Sequence, residues 1–271
     1  MTGRPNCKIN LGLHILRHRA DGYHDLETVF YPVGLSDTIS ISLSADEQFR
    51  FSASGLPIPG DPSSNLCVRA YELIRDHFQI PAVEINLQKI IPMGSGLGGG
   101  SSDAAFTLKA LNELFSLGIR IDHLKAFASR LGSDCAFFIE NIPALAKGRG
   151  ELLEKVSIRL TGYYLLIVIP QVHVSTVEAY SMIKPAKPET SLKEIINLPV
   201  DQWKGKMIND FEDAVCRKFP LIRQLEELLY EKGAVYSSMS GSGSAVYGFF
   251  KEIPAVESLF PGCFVWLSSQ L

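Results

Sequence analysis

Between Pro92 and Ala105 the chain reads Pro-Met-Gly-Ser-Gly-Leu-Gly-Gly-Gly-Ser-Ser-Asp-Ala-Ala, with five glycines in the seven residues Gly94 to Gly100. A backbone without Cβ atoms can approach a ligand closely and turn its N–H groups inward. The flanks restrict what such a loop can join. Val83-Glu84-Ile85-Asn86-Leu87 alternates apolar and polar side chains, the pattern of a half-buried strand. Beyond the loop, Ala104, Ala105, Leu108, Leu111, Leu114 and Phe115 recur at helical spacing. Strand, glycine loop and helix in that order place the unpaired N–H groups and positive dipole end of a helix where the loop ends. Such an arrangement cradles an anion, most often a nucleotide phosphate.

Three better-known loops compete for this stretch. The Walker pattern requires lysine and then Ser or Thr after the last glycine, and Gly100 is followed by Ser101. Gly94 to Gly99 matches G-x-G-x-x-G, the dinucleotide fingerprint, but that fingerprint should follow its strand at once. Here Ile90-Ile91-Pro92-Met93 intervenes, and proline removes a ladder donor. His18-Arg19-Ala20-Asp21 looks like a protein-kinase catalytic loop only superficially: it precedes the glycines, and no Asp-Phe-Gly occurs.

Composition removes other classes. The 271 residues are 46% hydrophobic and 20% charged, ample for a packed core and far from disorder. A net charge of -3 offers no basic field, so nucleic acid is not an expected partner. Cys7, Cys67, Cys135, Cys216 and Cys263 are scattered without C-x-x-C spacing, which suits reduced thiols in a cytoplasmic protein. No segment reaches the roughly 18 apolar residues of a membrane span, and Arg4, Lys8 and His14 break up any signal peptide.

The chain as a whole reads as α+β. Strands are expected over Ile9 to Leu16, Thr28 to Val33, Thr38 to Leu43, within Phe49 to Pro62, Tyr163 to Ile169, Ala234 to Tyr236, Ala245 to Phe250 and Phe264 to Leu267. Helices are expected over Asn65 to Phe78, from the glycine loop to Gly118, and from Asp122 as N-cap to Leu131. Later helices fall near Thr176–Ile183, Met207–Lys218, Pro220–Lys232 and Ala255–Phe260. A seam at Gly148-Arg149-Gly150 suggests two α+β layers divided near residue 153.

In order and spacing, Cys7-Lys8-Ile9-Asn10-Leu11, the glycine loop and the turn Ser240-Gly241-Ser242-Gly243-Ser244 resemble the three motifs of the GHMP kinases, small-molecule kinases for galactose, homoserine, mevalonate and related alcohols. Arg19-Ala20-Asp21-Gly22-Tyr23-His24, Asn65-Leu66, Lys89, Gly132-Ser133-Asp134 and Val174-Ser175-Thr176 are similar to the branch acting on a cytidine-diphosphate-linked polyol. The resemblance runs from about Lys8 to Phe250. It implies an ATP-binding N-terminal domain over 1–153 with a left-handed β-α-β unit, a ferredoxin-like C-terminal domain over 154–271, and an active site in the cleft between them. It also implies transfer of the ATP γ-phosphoryl group, with Mg²⁺, to the 2-hydroxyl of 4-diphosphocytidyl-2-C-methyl-D-erythritol in the non-mevalonate isoprenoid precursor pathway. The expected partner is that small molecule, with neither nucleic acid nor membrane, and the protein is expected as a monomer or homodimer.

Residue by residue, the resemblance makes Asp134 and Lys8 the catalytic pair. A carboxylate near an attacking alcohol is useful because the alcohol loses a proton, and a buried ammonium at Lys8 would otherwise be costly; Gly-Ser-Asp alone reads more readily as a cap or turn. ATP would lie along Pro92, Met93, Gly94, Ser95, Gly96, Leu97, Gly98, Gly99, Gly100, Ser101 and Ser102, with Ser101 or Ser102 near the metal. No glutamate ligand for the metal can be identified, so the metal set is unknown. Asn65, Leu66 and Lys89 match the adenine pocket, although Leu66 is also an ordinary core position. Tyr23 would stack on cytosine and His24 would bond its polar edge, with Tyr180 completing the sandwich; Tyr180 could equally be core. Asn10 and Thr176 would take the polyol or its phosphates, and Gly241, Ser242 and Gly243 would face the phosphates. Asn209-Asp210-Phe211-Glu212 also resembles a family segment and reads as a helix N-terminus with a structural role. Other open readings are a homoserine- or mevalonate-type kinase, a dinucleotide-dependent oxidoreductase using Gly94 to Gly99, and a silent nucleotide-binding protein.

Overall fold

The computed structural model describes residues 1–256 and 258–271. In chain order its strands are β1 (Thr2–Gly3), β2 (Asn6–His18), β3 (His24–Ser36), β4 (Thr38–Leu43), β5 (Arg50–Gly55), β6 (Val83–Lys89), β7 (Ala144–Gly148), β8 (Leu152–Lys155), β9 (Tyr164–Ile169), β10 (Tyr236–Met239), β11 (Val246–Phe250) and β12 (Phe264–Leu267). Its helices are α1 (Leu66–Phe78), α2 (Gly99–Leu114), α3 (Ile121–Leu131), α4 (Phe137–Glu140), α5 (Thr176–Ser181), α6 (Leu192–Ile195), α7 (Glu212–Lys218) and α8 (Pro220–Glu231).

The contacts divide the chain into two compact units that interleave in sequence. The first comprises Met1–Lys8, Pro32–Met93 and Gly98–Ile142; the second comprises Ile9–Tyr31, Gly94–Leu97 and Pro143–Leu271.

The first unit holds a sheet of order β1-β4-β6-β5, antiparallel at β4–β6 and parallel at β5–β6. A parallel pair needs a crossover, and α1 supplies it between β5 and β6. The alternation in β6 buries Val83, Ile85, Leu87 and Lys89 on one face. A lysine therefore ends the apolar row, and the core must answer its charge. Helix α1 starts where Asn65 accepts a hydrogen bond from the Cys67 amide at 2.9 Å, an N-cap that satisfies one orphan donor. Helix α2 begins inside the glycine motif, at Gly99, and ends at Leu114 rather than at Gly118.

The second unit carries an antiparallel sheet of order β10-β11-β9-β12, packed against α8. A third sheet, β2-β3-β7-β8, lies mostly in this unit. Its β2 is buried continuously from Cys7 to Ile15, so Lys8, Asn10 and His14 are polar side chains sealed in a strand interior. Leu13, Ile15, Leu26, Leu166, Val215 and Leu225 share the core of this unit.

Several expectations require correction. Gly148-Arg149-Gly150 is the tip of the hairpin joining β7 to β8, paired from Ala144↔Lys155 to Lys147↔Leu152, so this seam is a turn within one sheet. Arg120, not Asp122, is the N-cap of α3; Asp122 sits in the first turn, where a carboxylate still suits the dipole. The helix expected from Met207 begins only at Glu212, because the residues before it run beside β2: the Leu13 amide bonds Ile208 O at 2.9 Å and the Asp210 amide bonds Leu13 O at 2.8 Å. Over 255–260 the described residues form no helix; Ser258 and Leu259 lie in a turn, and Glu257 lies outside the described residues. All five cysteines are free thiols, as their spacing suggested.

Candidate active site

Lys8, Gly98 and Asp134 meet in the first unit. The ammonium of Lys8 lies 3.4 Å from Asp134 Oδ2, and the acid is 29% exposed while the lysine is sealed. Ser133 Oγ donates to the other carboxylate oxygen at 3.3 Å. Asp134 stands in the short connection from α3 to α4, which presents it beside β2. Gly98 is the N-cap of α2 and has a φ of 70°. A Cβ there would lie 3.2 Å from both Lys8 Cε and the Phe138 ring, so a side chain would crowd the lysine as well as strain the backbone. No side chain caps this 16-residue helix, and its first amides are left for another acceptor. A cation, an accessible carboxylate and a bare helix N-terminus thus surround one spot.

Lys89 lies deeper. Its ammonium reaches Asp103 Oδ2 at 2.8 Å and Asp37 Oδ2 at 2.5 Å, with all three side chains buried. Asp37 Oδ1 also accepts from the Ile90 and Ile91 amides, the latter at 2.8 Å. Asp37 precedes β4, Lys89 ends β6, and Asp103 lies in the first turns of α2, so the cluster ties the chain just before the glycine loop to the helix just after it. Burial pushes the Asp103 carboxyl up to about 7, opposed by Lys89 and aided by Asp37. Burial works against the charge on Lys89, but Asp103 and Asp37 outweigh it and its pKa is raised. The carboxylates were not predicted. A lysine on the apolar face of β6 is the signal that could have prompted a search for them.

Asn65, Leu66 and Lys89 line one cavity of about 350 Å³ together with Met93, Gly100 and Asp103. Asp103 Oδ1, buried there, has no hydrogen-bond partner.

In the second unit, the first half of the glycine loop is bonded to the late glycine turn. Ser240 Oγ donates to Gly96 O at 3.0 Å, and the Ala245 amide bonds Ser95 O at 3.0 Å. A Cβ on Gly96 would fall 2.1 Å from Ser240 O, which only glycine avoids. The Asn10 amide donates to Ser240 Oγ at 3.1 Å, and Asn10 Nδ2 donates to Thr28 Oγ1 at 2.9 Å. Thr176 and Ser242 hydroxyls pair at 3.2 Å, and Gly241 lies against Asn10. Asn10, Thr176, Gly241, Ser242 and Gly243 therefore form one polar group around this turn.

The aromatic residues are arranged differently from the expectation. His24 and Tyr180 stack on each other, centroids 4.8 Å apart and planes 24° apart, leaving no room for a base between those two rings. Tyr180 also meets Phe211 edge-on at 4.9 Å. Tyr23 is 56% exposed and lies under the Arg149 guanidinium at 5.0 Å. The turn carrying it is fixed by Asp21, whose carboxylate accepts the Tyr23 amide at 3.1 Å and pairs with Arg19. Burial, and then the neighbouring His18, lower the His24 pKa, so its ring stays neutral to more acid pH than usual.

Sequence comparison identifies the family. Residues 65–141 match the GHMP kinases N terminal domain and 194–259 match the GHMP kinases C terminal domain. The 4-diphosphocytidyl-2-C-methyl-D-erythritol kinase of Parabacteroides distasonis is 49% identical over 97% of each chain. The chain belongs to the GHMP kinases. Within that family the enzyme of the same name from Bacteroides thetaiotaomicron is 53% identical, covering 91% of each chain. A crystal structure of 4-(cytidine 5'-diphospho)-2C-methyl-D-erythritol kinase superposes with a TM-score of 0.81 at 30% identity, over 98% of each chain. As a GHMP kinase the protein is a small-molecule kinase of α+β fold, and Gly94 does not follow directly on the end of β6 as a dinucleotide fingerprint would. The N-terminus of α2, which no side chain caps, offers main-chain amides of the kind that can hold an anion. Among the described residues, no group of three His, Cys, Asp or Glu side chains could hold a metal, and no helix is long and apolar enough to cross a membrane.

Proposed function

We propose that this GHMP kinase transfers the γ-phosphoryl group of ATP to the 2-hydroxyl of 4-diphosphocytidyl-2-C-methyl-D-erythritol, a step of isoprenoid precursor synthesis in the cytoplasm. The names of its relatives support the substrate, and the contact of Lys8 with Asp134 beside the start of α2 carries the chemistry. Residues 1–153 would form the ATP-binding domain and 154–271 the C-terminal domain; the two matched stretches fall on either side of that boundary.

Phosphoryl transfer through a loose transition state asks the protein mainly for positioning and charge stabilisation. Asp134, 3.4 Å from the Lys8 ammonium, would accept a hydrogen bond from the attacking hydroxyl and receive its proton. Lys8 would also face the transferred group and offset its developing charge. The residues from Gly94 to Ser102 would hold the phosphates by main-chain amides, with the adenine in the cavity at Asn65, Leu66 and Lys89. Mg²⁺, when bound, neutralises phosphate charge; Ser101, half-exposed where Ser102 is buried, is the better placed of the two hydroxyls to approach it. Tyr23 would stack on the cytosine from its exposed turn, His24 would present a neutral ring edge, and Asn10, Thr176 and Ser242 would bind the polyol diphosphate.

The test is ADP release in a coupled assay over a panel of alcohols. The cytidylyl polyol should be turned over at a kcat/KM at least about 10²-fold above homoserine and mevalonate, given that a lost base stack and its polar contacts cost ~1–3 kcal/mol each. Equal turnover of homoserine would sink the substrate assignment.

A further inference from the structure

The segment Asn209-Asp210-Phe211-Glu212 has no part in the function proposed above, and its side chains end on β2, on β10 and the turn after it, and on Tyr180. Asn209 is buried, and its Nδ2 donates to Met239 O at 2.9 Å and to Gly241 O at 2.8 Å. Its Oδ1 accepts the Phe211 amide at 3.1 Å. Asp210 Oδ2 accepts the Ile15 amide at 2.7 Å, which locks the segment to β2. Phe211 backs Tyr180, the ring stacked on His24. Glu212 Oε1 accepts from the Met239 amide at 2.6 Å and from Ser238 Oγ at 2.7 Å.

The bonds of Asn209 straddle Ser240, the residue whose hydroxyl holds Gly96 and Asn10. Two amide hydrogens and one carbonyl oxygen are all used, and only asparagine offers that set at this side-chain length. Aspartate has the shape without the donors. A carboxylate there would face two carbonyl oxygens, an arrangement repulsive on every count.

We propose that Asn209 is a positioning residue for phosphoryl transfer, fixing the Met239–Gly241 turn so that Ser240 holds the glycine loop and Asn10 in register, while Phe211 backs Tyr180 and through it sets His24, whose ring edge would meet the base. This rests on the kinase reading above. Neither residue is placed against substrate; both act through residues that are.

The experiment measures ADP release from wild type, Asn209→Asp and Phe211→Leu, varying ATP and the cytidylyl polyol separately and normalising to folded protein. At about pH 8, Asn209→Asp should lose about 30-fold in kcat/KM, the equivalent of two hydrogen bonds at their ordinary worth. Its ratio to wild type should recover towards about pH 6, because a protonated carboxyl regains one O–H donor. His14 and Asp210 at β2, Glu212 at Met239, and Tyr236 at Met207 titrate or could titrate nearby, but they are common to both proteins and cancel in that ratio. Phe211→Leu should raise the KM for the cytidylyl polyol about 5-fold with kcat and the KM for ATP retained, as expected for one lost edge-to-face contact. Wild-type kcat/KM in Asn209→Asp, or a ratio that does not change with pH, overturns the proposal. If that variant does not fold, an unchanged KM in Phe211→Leu overturns it instead. A wild-type protein that releases no ADP with the polyol fails the kinase reading itself, and this inference falls with it.

Discussion

Lys8 meets Asp134 at 3.4 Å across a contact whose acid opens to solvent, whereas Lys89 meets Asp103 at 2.8 Å and Asp37 as well, with every partner sealed from water. The residue types are the same and the physics is not. A sealed pair is coupled strongly to the fold, since removing one partner strands a charge in a medium that cannot solvate it. In the half-open pair the lysine is sealed as well, but its acid borders solvent, which weakens the coupling to the fold and keeps a face free for another molecule. The first unit therefore separates reaction from support using one pair of residue types at two depths.

Substitutions should pull the two pairs apart. The largest effect belongs to Asp134→Ala, expected to lower kcat for ADP release by about 10²–10⁴-fold while the urea midpoint falls less than in Asp37→Ala; a larger drop in midpoint with activity retained per folded molecule would reverse the comparison. Asp37→Ala should do the opposite, costing about 3–5 kcal/mol in urea unfolding, with turnover of the remaining folded protein affected far less. In a different part of the molecule, Tyr23→Ala should raise the KM for the cytidylyl polyol about 10-fold, from the loss of one base stack, and leave the KM for ATP unchanged.

A pH slope separates the two pairs in another way. Asp103 titrates at about 7 in the fold against 3.8 for the ordinary group. Between those values the native state keeps a proton that the unfolded chain has released, so stability falls as pH rises through that window and levels off above it. Asp103→Asn should remove this fall in urea midpoints, and a slope that persists in the variant would assign it elsewhere.

The sequence legibility of these regions differs for a physical reason. The glycine loop was readable because local pattern constrains it: an alternating strand, a run of small residues, a helical repeat; Lys8 was singled out by the resemblance of Cys7–Leu11 to a family motif. Asp37 was not, because a single aspartate before a strand looks like any turn residue until β6 places Lys89 beside it. The segment at Asn209 was read as a helix start, yet its bonds go to residues about thirty positions away, a pairing that periodicity cannot show. Strands β7 and β8 were missed because their Gly-Arg-Gly hairpin looks like punctuation between modules. The Tyr23 turn was legible from Asp21-Gly22, whereas the stacking of Tyr180 on His24 depended on tertiary packing alone.

Next to Asp134 stands Cys135, fully buried, with a thiol that burial pushes up to about 12. A sulfur one residue from the proposed reacting acid invites the design of an electrophilic inhibitor. Its concealment and its reluctance to ionise argue against that strategy: at neutral pH almost none of the nucleophilic thiolate exists, and a warhead would have no path to it. Compounds that compete reversibly for the open carboxylate and the exposed tyrosine offer the more direct route.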